Sequence, residues 1–364
     1  MSEALAAKPK VLFVADLNVY SKGLSRLRAL RETGAQVEPL SHTAIGGEDS
    51  GHAPLSLPFK LAWKLGLHLD TEGVNKAILT AAKRFPADLI WIEKGNMIGP
   101  STLAKLRTLR PQAIIASYSE DDMFNPINRT RAYTAGLHHY DVVFTTKSFN
   151  TDPGELPSLG ARGARRCVMV DKAYDPLQHH PLILTDAERD ELSADAGFIG
   201  SYAPERGEAV RFLAENGVSV RVWGNGWQRF TDAHPNLRIE CRALVNTPGD
   251  LHYTKGVRAT RINLGFLRKI NRDRQTDRSV EIPACGGFML AEQSDEHGRL
   301  FDDGREAVFF QSDNEMLEKT RYYLEHEDER QIIAAAGYRR CVDGGYSHAE
   351  RMRFMLATAL DKPS

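Results

Sequence analysis

The first apolar run of the chain is VLFVAD at 11–16, short and apolar at nearly every position. Such a run suits a strand buried on both faces. The next stretch, SKGLSRLRALRETG (21–34), places Leu24, Leu27 and Leu30 three residues apart. That spacing draws one apolar stripe along a helix, and Gly34 is its natural stop. Further strands are predicted at 36–40, 88–94, 113–119, 141–146 and 166–171. A helix around 71–84 carries Val74, Ile78 and Ala82 on one face, and Ser101 can cap a helix that runs to Leu109. Residues 41–70, rich in Gly, Pro and His, read as irregular. Alternating strands and helices argue a parallel sheet with helices on both faces.

The segment 172–195 breaks the rhythm: it is polar, holds Pro176 and Pro181, and reads as a linker. The alternation then restarts. Strands are predicted at AGFIGS (196–201), VSVRVWG (218–224), LRIECRAL (237–244), INLGFL (262–267), FMLAE (288–292) and EAVFFQS (306–312). Helices are predicted from Pro204 to Asn216 with Gly217 as stop, over 251–261, from near Thr276, and two or three times after Asn314. The expected architecture is α/β, with two Rossmann-like doubly wound domains facing a central cleft. The boundaries are 1–175, 176–345 and a final helical segment, 346–364.

Length agrees, since 364 residues suit two domains of about 150–200 residues each. A net charge of −1, with 26% charged residues, sets up no global field toward nucleic acid or an anionic membrane. Cys167, Cys241, Cys285 and Cys341 are far apart, which supports neither a zinc site nor a disulfide framework. The start MSEALAAKPK lacks the apolar core of a signal peptide, and no run approaches the length of a membrane span. The expectation is a soluble, cytoplasmic protein without a nucleic-acid partner or a transmembrane segment. Peripheral contact with the inner membrane face stays open, but no amphipathic anchor is evident in the sequence.

Ligands of open parallel sheets bind beyond the carboxyl ends of the strands, so the residues after each strand are the candidates. After AGFIGS, Gly200 and Ser201 make a small turn ahead of a helix that carries Arg206 in its first turn. Free N–H groups and a fixed cation there suit phosphate, and a solvated arginine is the plain alternative. After VSVRVWG, Gly224 and Asn225 lead into a turn with Gly226, flanked by Trp223 and Trp227, which read more simply as core. In TDRSVEIPACGGFMLAEQ (276–293), Glu281 sits among apolar residues and Gly286-Gly287 cut the helix from the strand. A buried carboxylate needs partners. A vicinal diol such as ribose on one side, and a salt bridge to Arg278 or a solvated face on the other, are equal readings. Glu120, Asp121 and Asp122 follow a strand of the first half, where one is a candidate general base and turn capping is the alternative. Lys94 and Asn96 are weaker candidates for an acceptor contact.

Other chemistries lack their motifs. No Gly-x-Gly-x-x-Gly follows a strand, and there is no P-loop and no Gly-x-Ser-x-Gly elbow. No two aspartates stand two apart, so the Asp-x-Asp metal motif of one class of sugar transferases is missing. The pairs His138-His139 and His179-His180 put adjacent rings on different faces, a poor chelate.

Five segments carry a resemblance: FIGSYAPERGEAVRFLAENGVSVRVWGNGW, INLGF, DRSVEIPACGGFMLAE, LFDDGREAVFF and IAAAGYRRCVDGGYSHAERM, in order over roughly 196–356. The chain resembles the CgeB-like (spore-maturation-protein-like) glycosyltransferases, a branch of the GT-B superfamily. The first half matches only through its rhythm, EDD and YDVVFTT. The resemblance implies a nucleoside-diphosphate-sugar donor held mainly by the C-terminal domain. It implies a final helix that crosses back to the first domain. Glu281 falls where relatives hold the donor ribose, with Gly286 and Gly287 letting the backbone pass close to the donor. Gly200, Ser201 and Arg206 match the diphosphate-side loop, and Arg278 and Lys269 are further candidates for the diphosphate charge. Many retaining relatives carry a second glutamate eight residues before the first; here that position is Asp273, one methylene shorter. The expected activity is metal-independent transfer of a sugar to a hydroxyl of a glycan, a lipid-linked saccharide or a protein. Asp273 would position the sugar, and Asp121 or Asp122 would act as base in an inverting reaction. The alternatives are a non-catalytic sugar-binding protein and an epimerase acting on the nucleotide sugar.

Overall fold

A computed structural model describes residues 8–19, 21–45, 56–151 and 159–361. The chain divides into two compact units, Met1–Asp171 with His348–Ser364, and Lys172–Ser347.

The first unit runs through β1 (Lys10–Ala15), α1 (Lys22–Glu32), β2 (Gln36–Ser41), α2 (Leu57–Lys64), α3 (Val74–Arg84) and β3 (Leu89–Glu93). It continues through α4 (Pro100–Leu109), β4 (Ile114–Ser119), α5 (Arg131–Gly136), β5 (Val142–Thr145) and β6 (Cys167–Met169). All six strands are parallel, in the order β2-β1-β3-β4-β5-β6. The interior strand β3, LIWIE, is buried at every position, as its unbroken apolar run dictates. The edge strand β2 is more exposed and carries Pro39, which an edge tolerates because one side needs no donor. The order reverses between β1 and β3, which places the switch point of this sheet there.

The second unit holds α6 (Asp186–Leu192), β7 (Ala194–Ile199), α7 (Pro204–Glu215), β8 (Val220–Trp223), β9 (Leu237–Glu240), β10 (Asn246–Thr247) and β11 (Asp250–Leu251). Then come α8 (His252–Ala259), β12 (Thr260–Gly265), α9 (Arg278–Ala284), β13 (Met289–Glu292), α10 (Asp295–Leu300), β14 (Val308–Phe310), α11 (Asp313–Glu325) and α12 (Glu327–Asp343). Its parallel sheet has the order β14-β13-β12-β7-β8-β9, with the switch point between β7 and β12. The last helix, α13 (His348–Leu360), buries Met352, Met355 and Leu356 in the core of the first unit with Phe13, Leu27 and Trp91.

Three expectations need correction. Residues 41–70 include a helix, α2, capped by Ser56, while 46–55 lie outside the described residues. The 172–195 stretch is part of the second unit: Tyr174 and His179 are buried, and Thr185 and Glu188 form a capping box that starts α6. Ser101 does not cap α4, because Gly99 is the N-cap and Pro100 fills the first turn. Among the described residues, no helix is long and apolar enough to cross a membrane.

Candidate functional site

The carboxyl ends of β7 and β12 bring together two arginines. Arg206, in the first turn of α7, is buried; Arg278, at the start of α9, is half-buried. Both guanidinium groups lie over the Phe198 ring, at 5.3 and 5.2 Å from its centroid. Arg206 donates to the Ser201 carbonyl (2.9 Å), and both donate to the Phe266 carbonyl, at 3.5 Å from Arg206 and 3.3 Å from Arg278. The Nε–H groups of both are buried without a partner, and neither arginine makes an ion pair with a described residue. Burial first, and Arg278 second, pull the Arg206 pKa down to about 10, against the opposing pull of Glu205. Arg206 remains charged at neutral pH. The site concentrates positive charge at the switch point of its sheet, with no ion pair to a described residue.

Close packing fixes the loops around it. The Trp227 indole N–H donates to the Gly200 carbonyl at 2.8 Å, and the Tyr202 N–H donates to the Asn225 carbonyl at 2.9 Å. A Cβ on Gly224 would stand 2.0 Å from that Gly200 oxygen, so only glycine fits. Gly224 and Asn225 therefore shape the Gly200-Ser201 turn through their backbones. Trp223 and Trp227 are fully buried in the core.

The start of α9 is set by a buried serine–histidine pair. The Ser279 hydroxyl accepts from the Thr276 N–H (2.9 Å) and lies 2.7 Å from His297 Nε2. The other ring nitrogen, Nδ1, is 2.7 Å from the Glu292 carbonyl. A carbonyl only accepts, so Nδ1 carries the proton and Ser279 donates to Nε2. The helix begins at Arg278 rather than Thr276, because Thr276 and Asp277 form the preceding turn.

The remaining candidates separate. Glu281 is buried one turn beyond Arg278, and its Oε1 lies 3.9 Å from His179 Nε2. His179 Nδ1 accepts the Asp175 N–H (3.2 Å), so Nε2 presents the proton to Glu281. The salt bridge from Glu281 to Arg278 is not formed. Asp273 accepts from the Asn271 amide (2.7 Å) and adds negative potential at Arg206. Lys269 leaves the phosphate set: it is exposed and paired with Glu292 at 2.8 Å. Gly286 and Gly287 also leave it. They precede β13, at the amino edge of the sheet, whereas Gly200 follows the carboxyl edge of β7. There the Gly286 carbonyl accepts from Arg258 (2.6 Å), and a Cβ on Gly287 would meet Val257 at 2.6 Å.

In the first unit, the carboxyl ends of β1 to β4 enclose a cavity of about 380 Å³. Its floor is a buried two-pronged ion pair from Arg26 to Glu93, at 2.6 and 2.7 Å, with Glu120 3.3 Å from the same guanidinium. Burial alone would lower the Arg26 pKa, but the two carboxylates outweigh it and hold it well above its ordinary value. Gly23 lets α1 approach β1, because a Cβ there would stand 2.1 Å from the Asp16 carbonyl. Asp121 lines the cavity and is held by Lys94 at 2.5 Å. Asp122 is buried, and its carboxylate accepts the Phe124 N–H (3.0 Å), so it fastens a turn and is withdrawn as a base. His42 was not singled out from the sequence, yet it lines the cavity with a buried, unpartnered Nδ1. Desolvation, opposed by Glu93 and Asp16, lowers its pKa. A lone histidine in an irregular stretch carries no periodic signal, so only the fold picks it out.

A family described as glycosyl transferase-like matches residues 206–357, a span that begins at Arg206 and includes Arg278. Solved structures of similar fold include sucrose-phosphate synthase from Thermosynechococcus elongatus, with TM-score 0.65 and 11% identity over 96% of this chain and 98% of that one. An alpha-glucosyltransferase in complex with UDP gives 0.62 and 10% over 97% and 100%. The Anabaena protein HepE in complex with UDP and glucose gives 0.58 and 11% over 96% and 99%. No curated protein matches the sequence. At these identities the likeness shows the fold, which is GT-B, with two Rossmann-like domains.

Burial lowers the His297 pKa to about 4. The unfolded chain takes up a proton at His297 below about 6.5, and the folded chain does not until near 4. Its contribution is therefore complete above about pH 6.5 and is lost as pH falls toward 4, by up to about 3 kcal/mol. Urea midpoints of the wild type and His297→Gln from pH 7 to 4 should converge as the pH drops, and parallel curves would contradict the assignment.

Proposed function

We propose that the chain is a glycosyltransferase. It takes a sugar from a nucleoside-diphosphate donor bound by the second unit and passes it to an acceptor hydroxyl bound by the first. The observation that carries this reading is the pair Arg206 and Arg278, charged, close together and without a counter-ion among the described residues. Two like charges left uncompensated in a desolvated place raise the free energy of the empty protein, and a bound diphosphate would relieve that cost. The family match at 206–357 and the UDP carried by similar structures support the same reading.

Each residue then has a task. As the glycosidic bond to the β-phosphate breaks, negative charge grows on the leaving diphosphate. Arg206 and Arg278 are aimed from rigid elements at that charge, and their positive field is set before the reaction starts. No metal is needed to supply it in this proposal. Glu281, one turn along the same helix, is the carboxylate for the ribose hydroxyls, and Asp273 is placed to orient the sugar. His42 is the base toward the acceptor hydroxyl: the residue lines the cavity, and burial lowers its pKa, which favours the neutral ring. Asp121, tied to Lys94, takes the role of holding the acceptor rather than its proton.

Release of UDP from UDP-glucose, with and without a panel of glycan and lipid-linked acceptors, tests the activity, and no release with any nucleotide sugar would sink it. Arg206→Met and Arg278→Met should each abolish the roughly 2.7 kcal/mol of stabilisation that UDP gives at a hundred times its dissociation constant. The empty variants should melt at the wild-type temperature or above it, whereas arginines that serve only to hold the loops together would give lower melting temperatures. His42→Ala should lower kcat by about a hundredfold or more with UDP binding intact. The acid limb of the wild-type pH profile should lie below the ordinary histidine value, because burial lowers this pKa.

A further inference from the structure

The helix α2 contradicts the usual logic of a surface helix. Of its eight residues, LPFKLAWK, none is buried, though five are Leu, Phe, Ala or Trp. A helix this short does not hold itself together in water. It is fixed from outside its own turns. The Ser56 hydroxyl accepts the Phe59 N–H (3.4 Å), and the Trp63 indole donates to the Ile127 carbonyl (3.1 Å). Phe59 and Trp63 stack at 6.3 Å, and His68 meets both rings edge-on. The aromatic residues thus attach one face of α2 to the first unit. The opposite face carries Leu57, Leu61 and Leu65, spaced four apart so that they form one stripe along the axis. They are 75%, 62% and 63% exposed, and nearby Ile127 is 55% exposed. Lys60 and Lys64 are exposed beside the stripe, and α2 contains no acidic residue.

We propose that α2 is a docking element for an anionic bilayer surface. A helix in the interfacial plane inserts an apolar face among the acyl chains and sets lysines against the lipid phosphates. The leucine stripe and its two lysines have that division. A second copy of the chain is a poorer occupant, because an antiparallel two-fold contact through this stripe would set the lysines of one copy beside those of the other. The docking rests on α2 alone and is independent of the transferase reading. Its consequence joins the two. Trp63 and His68, on the attached face, line the cavity at the carboxyl ends of β1 to β4. A docked α2 therefore holds that cavity beside the lipid headgroups, and the acceptor class this favours is a hydroxyl carried on a membrane lipid.

The test is cosedimentation of the full chain with vesicles of phosphatidylcholine alone and of phosphatidylcholine mixed with phosphatidylglycerol. The protein should pellet with the mixed vesicles and stay in solution with the neutral ones. Replacing Leu57, Leu61 and Leu65 together by serine should lower the pelleted fraction roughly tenfold, with the melting temperature kept because these side chains are exposed. Lys60→Glu with Lys64→Glu should weaken binding by a similar factor without touching the apolar stripe, and added salt should weaken the wild type. UDP binding should be unchanged in both variants, so failure of docking and failure of the donor site are read separately. Wild-type protein that stays in solution with anionic vesicles would overturn the proposal. So would a triple-serine variant that pellets as well as wild type, or self-association through the stripe in place of vesicle binding.

Discussion

Two guanidinium groups share one phenyl ring and one carbonyl oxygen, and no described carboxylate forms an ion pair with either. Much of the second unit can be understood from what it takes to hold them there. Burial and mutual repulsion already pull Arg206 down to about 10. The Phe198 ring face and the Ser201 and Phe266 carbonyls offset part of that cost without cancelling the charge, while the helix N-termini that carry both arginines add to it. The glycine contact between Gly224 and Gly200 keeps the turn tight, and the Ser279–His297 pair sets where α9 begins and so where Arg278 stands. An ion pair to a protein carboxylate would be the ordinary solution. Its absence at the switch point of a doubly wound sheet is what a site for an anionic ligand requires.

The first unit treats charge in the opposite way. Arg26 is fully compensated by Glu93 and Glu120, and Lys94 by Asp121, so the cavity wall is dense in hydrogen-bonding groups but close to balanced. Such a wall suits a neutral, hydroxyl-rich molecule better than a phosphate. The two units thus share an architecture and differ in electrostatics.

Much of the fold was legible because buried parallel strands are short unbroken apolar runs, and LIWIE and KVLFVA announce themselves. Helix stops were equally plain at Gly34 and Gly217, both at positive φ. What was hidden has physical reasons. The helix α2 has no core-facing stripe to read, since its apolar residues point outward or into an aromatic cluster. The 172–195 stretch looked like a linker because its order comes from polar contacts, such as Asp175 to His179 and the Thr185 capping box. Arg206 was visible as a cation in the first turn of a helix that follows a small-residue turn, and Glu281 as a carboxylate among apolar residues. Arg278 was named with Lys269 as a further candidate for the same charge, but its place beside Arg206, 72 residues earlier in the chain, was not visible, because it depends on the sheet order. Gly286 and Gly287 show the converse error: a motif placed them at the donor, and strand direction places them at the far edge of the sheet.

The most direct measurement is a calorimetric titration of the whole protein with uridine and with UDP at low and moderate salt. If Arg206 and Arg278 form an uncompensated anion site, UDP binds, its affinity falls as salt rises, and uridine binds far more weakly. Equal binding of the nucleoside and the diphosphate, or UDP binding indifferent to salt, would mean that the two arginines do not carry the diphosphate and that the account of the second unit is wrong.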